Sequence, residues 1–275
     1  WGSTWLVIRE GLVDLPPFTS AGVRFAVASA LMLVLAALLR AREGGQNPPR
    51  WLWVSNGMLH FAVSYAVVYW CEQFLPSGLV SLLWAVYPMI VAILGHLFLP
   101  AERLSGLQWL GFVLGLAGVA VLFRTDLSSF GGDALVVGAV LFISPLVAAG
   151  ATVLVKLYGR SSSSLILNRN GMILAAILLL AAGLVTESEA SVEWTPRAVF
   201  SVGYLAAVGT VTSFGLYYWL LRFVPAYRLS LIAYITPPVA LFLGWAVGGE
   251  PITTFTLAGA GLIVLGIILI VTRRV

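Results

Sequence analysis

Runs of about twenty apolar residues, broken by short polar or charged segments, succeed one another along the chain. The first is brief, WGSTWLVI, and stops at Arg9 and Glu10 before the loop to Pro16–Pro17. Thr19–Leu39, Trp51–Phe74, Pro76–Leu99 and Leu107–Phe123 follow. After a polar connector, Arg124–Asp133, come Ala134–Tyr158, Leu165–Val185, Pro196–Phe223, Ala226–Val247 and Phe255–Val271. A hydrocarbon core roughly 30 Å thick takes about 20 helical residues per crossing, so the pattern predicts ten membrane-spanning helices. The apolar runs are continuous and do not alternate, which excludes a β-barrel, and a backbone in lipid must then satisfy its own amides and carbonyls as helix. Because the chain opens on Trp1 inside an apolar run, the first span is expected to begin upstream of it.

The pattern is written twice. At a shift of 149, Tyr69–Pro88 overlays Tyr218–Pro237, matching Tyr69, Trp70, Phe74, Pro76, Ser81, Leu82 and Pro88 with Tyr218, Trp219, Phe223, Pro225, Ser230, Leu231 and Pro237. The overlay continues to Leu94–Gly95 with Leu243–Gly244. At a shift of 148, Glu102, Gly111, Leu114 and Gly118 meet Glu250, Gly259, Leu262 and Gly266. Gly2, Thr4, Leu6 and Val7 meet Gly150, Thr152, Leu154 and Val155 at the same shift. The chain therefore divides into a five-helix repeat over residues 1–124 and a second over 134–275. Five is odd, so the second repeat must cross the membrane in the opposite sense. An inverted duplication in an apolar chain is the pattern of a secondary transporter, with its site between the halves.

Composition strengthens this. Of 275 residues 60% are hydrophobic and 9% charged, with a mean hydropathy of +1.01, more apolar surface than a soluble fold of this size hides. The net charge of +4 is distributed by side of the membrane and does not form a nucleic-acid patch. With the C-terminus cytoplasmic, the inner ends hold Arg40, Arg42, Arg50, Arg103, Lys156, Arg160, Arg222, Arg228, Arg273 and Arg274. The outer ends hold only Arg9, Arg124 and Arg197, together with most of the acids. The positive-inside rule then puts both termini inside. Cys71, the single cysteine, has no internal partner for a disulfide and reads as packing.

The WGSTW start resembles the drug/metabolite transporter superfamily, in particular its ten-helix EamA-type exporters. So do the paired corners with Pro76 and Pro88, and ERLSGLQWLGFVLGLAGVAVL with its copy EPITTFTLAGAGLIVLGIILI. The likeness covers nearly the whole chain and is nearest the YddG-like aromatic amino acid exporters. It implies efflux of amino acids or related metabolites through a central cavity, from a bacterial-type inner membrane and without a cofactor.

Candidate site residues follow from polar and aromatic positions inside the spans. Trp53, Asn56, His60 and Ser64 recur at helical spacing on the third span, with Tyr65 beside them, and Ser77, Ser81, Trp84 and Pro88 do so on the fourth, with Tyr87 adjacent. Polar groups are unfavourable against lipid, so such stripes face other helices or water, either as a substrate path or as interhelical hydrogen bonds. Aromatic walls with a few fixed polar groups suit a flat apolar substrate. The expected contacts are His60, Ser64, Tyr65, Ser81, Trp84, Tyr87 and Trp5, with Tyr218, Trp219 and Tyr234 from the second half. Trp51, Trp53, Trp109 and Trp194 read as interfacial belt. Arg24 and Arg169 lie near span ends and are expected to snorkel, although either could attract a carboxylate. Asn168 and Asn170 beside Arg169 hint at a water-filled vestibule. Lys156 reads as a positive-inside anchor, and Glu72 as the one carboxylate at a span's edge.

Pro76 and Pro225 are expected to open helices, whereas Pro88 and Pro237, mid-span at equivalent positions, are candidate hinges. Gly111, Gly115, Gly118, Gly259 and Gly266 form small-residue faces for close packing, within the bundle or in an oligomer that nothing requires. Two histidines, His60 and His96, and no HExxH or GxSxG motif argue against an enzyme or a metal centre. A single lysine argues against a sugar-phosphate or nucleotide-sugar exchanger, and no ion-lining ring suggests a channel. Only His60 sits mid-span as a proton carrier, so the chain reads as a uniporter, with proton-coupled antiport as the alternative.

Overall fold

A computed structural model of the chain describes residues 1–122, 132–238 and 254–272. The end of the ninth predicted span, Glu250, the connector from Arg124 to residue 131, and Arg273–Arg274 lie outside them. The described residues are helical, with one isolated β-bridge between Gln46 and Ser162. Helix α1 is Thr4–Gly11 and α2 is Pro17–Glu43. Helix α3 covers residues 50–71, α4 is Ser77–Phe98 and α5 is Gly106–Leu122. Helix α6 runs from Gly132 to Tyr158 with a turn at Phe142, and α7 is Ser164–Thr186. Helix α8 is Pro196–Leu221, α9 opens at Ala226, and α10 is Thr254–Val271.

Six of these stretches are long and apolar enough to cross a membrane, and α5 is a shorter apolar helix. Large apolar side chains stand outward on them, among them Leu38, Ile177, Leu184 and Leu257, as suits a surface facing lipid.

Proline sets the helix starts. Pro17 and Pro196 occupy first helical positions, where the missing N–H costs nothing. Pro76 and Pro225 stand immediately before α4 and α9, as the sequence predicts. Gly44 ends α2 at φ 70°, and Gly45 follows at φ 92° with its missing Cβ only 2.8 Å from Ser163 N. That turn brings Gln46 against the α6–α7 loop, where Gln46 N donates to Ser161 O and Ser163 N donates to Gln46 O.

The two halves share features of packing, and the π segments fall at the 148-residue shift. Residues 57–63 of α3 and 205–212 of α8 are both π-helical. In α8 the hydroxyls of Thr210, Thr212 and Ser213 donate to the carbonyls five residues back, Leu205, Ala207 and Val208, so the wide turn keeps its polar groups paired in an apolar setting. Helices α2 and α7 lie antiparallel and exchange carboxylate caps. Glu187 accepts from Phe18 N (2.7 Å) and Thr19 N (2.8 Å) at the start of α2. Glu43, the last residue of α2, accepts from Ser164 N (2.7 Å) and Ser163 Oγ (2.5 Å) at the start of α7.

Helices α5 and α10 cross through their glycines. A Cβ on Gly111 would stand 2.7 Å from Gly266 O, and one on Gly118 2.7 Å from Gly259 O. The glycine faces thus meet each other inside the chain.

Candidate functional site

A narrow cavity of about 50 Å³ lies between the helices. Trp1 and helix α1, with Thr4, Trp5 and Ile8, line it, as do α2 with Arg24 and α3 with His60, Ser64, Tyr65 and Val68. Helix α4 adds Trp84 and Tyr87, α8 adds Phe214, and α9 adds Ala233 and Thr236.

The aromatic walls are held by polar handles tied behind them. Trp84 stacks on Tyr87, centroids 4.7 Å apart at 23°, and its indole Nε1 donates to Ser144 Oγ at 2.9 Å. Ser144 is shared with Ser64, 2.8 Å away. The Tyr87 hydroxyl bonds Thr152 Oγ1 at 2.9 Å and the Tyr217 hydroxyl at 2.7 Å. Satisfying the indole and phenol groups from α6 and α8 leaves the ring faces for the cavity. Trp5 leans on Trp84 at 5.9 Å, and Trp1 on Phe214 at 5.2 Å.

His60 is nearly fully buried. Tyr218 Oη donates to Asn56 Oδ1 at 2.5 Å, so it accepts from His60 Nδ1 at 2.8 Å. That tautomer leaves Nε2 as a neutral acceptor.

Arg24 departs from expectation. Only 1% exposed, it does not snorkel but turns into the bundle. Its Nε donates to Thr210 Oγ1 at 2.8 Å, on the π segment of α8, and its Nη1 to the Tyr69 hydroxyl at 3.2 Å. The guanidinium lies 4.7 Å from the Tyr65 ring centroid, and Nη2 has no hydrogen-bond partner.

Of the residues singled out in the sequence, His60, Ser64, Tyr65, Trp84, Tyr87 and Trp5 come together on the cavity wall. Tyr218 stands one layer behind, bracing His60. Three others lie elsewhere. Trp219 is 42% exposed on the outer face, against Phe223. Ser81 returns its hydroxyl to Gly78 O on its own helix. Tyr234 donates to Phe112 O and fills the space left by Gly115.

Pro88 follows a break in α4 at Ala85–Val86, between Ser77–Trp84 and Tyr87–Phe98. In α9 the interruption falls at Leu231, six residues before Pro237. Lys156 is no interfacial anchor: it is buried, 3.5 Å from Glu102, and donates to Leu221 O and Val224 O. Asn168 is buried against Phe214 O, so it faces no vestibule, while Arg169 borders a surface depression beside Arg40.

Sequence reading also missed Ser144, Thr152 and Thr4 around the cavity. The match of Thr4 with Thr152 across the repeats was the available signal for two of them. No group of three metal-ligating side chains occurs among the described residues.

The model of the EamA-like transporter family matches residues 1–124 and 135–272. The chain is 31% identical to an uncharacterized inner membrane transporter, YedA, of Escherichia coli, over 98% of this chain and 86% of that one. It is 26% identical to an uncharacterized transporter, YoaV, of Bacillus subtilis, over 97% of this chain and 91% of the relative. A solved crystal structure superposes with a TM-score of 0.79 at 18% identity, covering 98% of this chain and 95% of its own.

Proposed function

Because the chain belongs to the EamA-like transporter family, we propose that it exports amino acids, aromatic and other neutral ones foremost, and small related metabolites. The bundle is read as ten crossings in two inverted five-helix repeats, with both termini cytoplasmic in a bacterial-type inner membrane. It works by alternating access as a uniporter. The observation that carries the substrate is the cavity wall, where Trp5, Tyr65, Trp84 and Tyr87 offer ring faces and few polar atoms. Such a wall suits a planar apolar side chain. Support for the inversion comes from the exchanged carboxylate caps, the matching π segments and the reciprocal glycine crossing.

The test is counterflow in proteoliposomes preloaded with unlabelled amino acids. Entry of labelled phenylalanine is expected, indifferent to a pH gradient. Trp84→Ala and Tyr65→Ala should each slow it by at least about tenfold in protein that still inserts. Unchanged rates in folded variants would remove the aromatic wall from the mechanism.

Proton-coupled antiport is favoured by one observation, Glu72, a buried carboxylate with neither oxygen hydrogen-bonded. Under uniport Glu72→Gln leaves phenylalanine entry unchanged. Loss of a pH-gradient response in that variant would instead establish coupling.

A further inference from the structure

We infer that Arg24 is the specificity-determining anchor of the cavity, and that the site selects a substrate carboxylate while leaving the ammonium group optional. The inference rests on the transport reading above and adds to it the charge the substrate must carry.

Three observations lead there. First, the guanidinium is 1% exposed, yet one of its terminal nitrogens, Nη2, has no partner although the side chain lines the cavity. A buried N–H group without an acceptor is an open coordination position. Second, no carboxylate among the described residues lies within 4.0 Å of Arg24. Its contacting partners are the hydroxyls of Thr210 and Tyr69 and the ring of Tyr65, all neutral, and the buried Glu72 carboxylate, whose charge reaches Arg24, makes no ion pair with it. A buried cation with no carboxylate in contact still gains from an anion that arrives with the substrate and bonds it directly. Third, the cavity is one-sided in charge. No acidic residue is among its described lining residues, and the nitrogen ligand it offers to an ammonium is the neutral His60.

The geometry around Arg24 is built to hold it in place. Nε and Nη1 are used by α8 and α3, which fixes the plane of the guanidinium and leaves Nη2 free. Gly209, on the π segment, lies beside it, where a Cβ would come 3.4 Å from Nη2. The wide turn of α8 thus places Thr210 against Nε. Arg24 and the aromatic wall together describe an aryl or bulky apolar carboxylate, of which aromatic amino acids are one subset.

The experiment compares three ligands that differ by one charged group each: phenylalanine, 3-phenylpropionate and phenethylamine. Binding to the purified protein is followed by quenching of tryptophan fluorescence, since Trp1, Trp5 and Trp84 line the cavity. Each compound is then used as competitor in phenylalanine counterflow. The carboxylate without ammonium should bind within about threefold of phenylalanine, and the amine without carboxylate at least about tenfold more weakly. Arg24→Gln should erase that preference while Arg24→Lys retains part of it. The comparison in the unmutated protein stands even where Arg24→Gln does not fold. Equal binding of phenethylamine and 3-phenylpropionate overturns the assignment and leaves the transport reading intact. Carboxylate-selective binding without counterflow keeps the assignment and removes the transport reading.

Discussion

Lys156 shows how a single side chain sews the bundle together. Its ammonium reaches Glu102 at 3.5 Å and the carbonyls of Leu221 and Val224 at the end of α8, while Glu102 Oε2 accepts from Ala226 N at the start of α9. One carboxylate and one ammonium therefore satisfy the polar ends of two helices that meet at the Pro225 corner. Lys156→Met leaves a buried carboxylate and two carbonyls without their cation, and should cost about 3–5 kcal/mol. Thermal unfolding in detergent checks this, and the double variant with Glu102→Gln should recover part of the loss. Sequence alone gave no access to this. A lysine at a span's basic end reads as an anchor in the headgroups, and only the tertiary meeting of α4, α6 and α8 turns it inward. Arg24 was hidden for the same reason, since its position less than two turns into α2 fits snorkelling as well as burial. His60, Ser64 and Trp84 were legible because two neighbouring spans each carried a polar stripe, and lipid tolerates such a stripe only on an inner face.

At the scale of elements, what the chain showed most clearly was the succession of apolar runs and their duplication, because both depend on residue type alone. The π segments left no such mark. In α8 the segment carries a row of hydroxyls, Thr210, Thr212 and Ser213, reaching carbonyls five residues back, but the same row fits an ordinary helix, and residues 57–63 of α3 carry no hydroxyl at all. The caps were equally silent, since Glu43 and Glu187 look like loop acids until α2 and α7 lie side by side. Removing either should loosen that pair. Glu187→Gln and Glu43→Gln are each expected to destabilise by about 1–2 kcal/mol, the scale of a lost helix cap. Hydrogen exchange at the first turns of α2 and α7 would localise the effect, Glu187→Gln acting on Phe18–Thr19 and Glu43→Gln on Ser164. A second latch holds the α1–α2 loop to the start of α8. Asp14 accepts from Arg197 at 2.7 and 2.9 Å and from Thr195, which lowers its pKa to about 2 from 3.8. Its folded value is depressed, so its stabilisation is complete above about pH 4 and is lost as the pH falls towards 2. Asp14→Asn should remove that component of an acid titration of stability.

For the whole molecule, the crossing of α5 with α10 carries the consequence of the proposed two-fold relation most directly. Gly111 corresponds to Gly259, and Gly118 to Gly266, under the 148-residue shift. In space the partners are exchanged: Gly111 faces Gly266, and Gly118 faces Gly259. An antiparallel crossing whose two ends are copies of each other is what an axis in the membrane plane produces, and it gives both halves the same purchase on their neighbour. The contact also lies apart from the cavity, whose lining residues come from α1, α2, α3, α4, α8 and α9. Under the proposed alternating access it would act as a fixed strut against which the cavity helices move. Valine at Gly111 meets Gly266 O at 2.7 Å, and valine at Gly259 meets Gly118 O at 2.7 Å, so each variant drives a side chain into backbone that cannot rotate away. Each should lose about 1–3 kcal/mol or more. Because the two positions are equivalent, their losses should agree within about 0.5 kcal/mol, the usual precision of additivity for sites on independent contacts. Chemical unfolding in detergent measures the losses, and phenylalanine binding to the surviving folded fraction should be unchanged in both. A pair of variants in which one matches the parent and the other collapses would show that the strut is not shared. The inverted relation would then rest on the caps and the π segments alone.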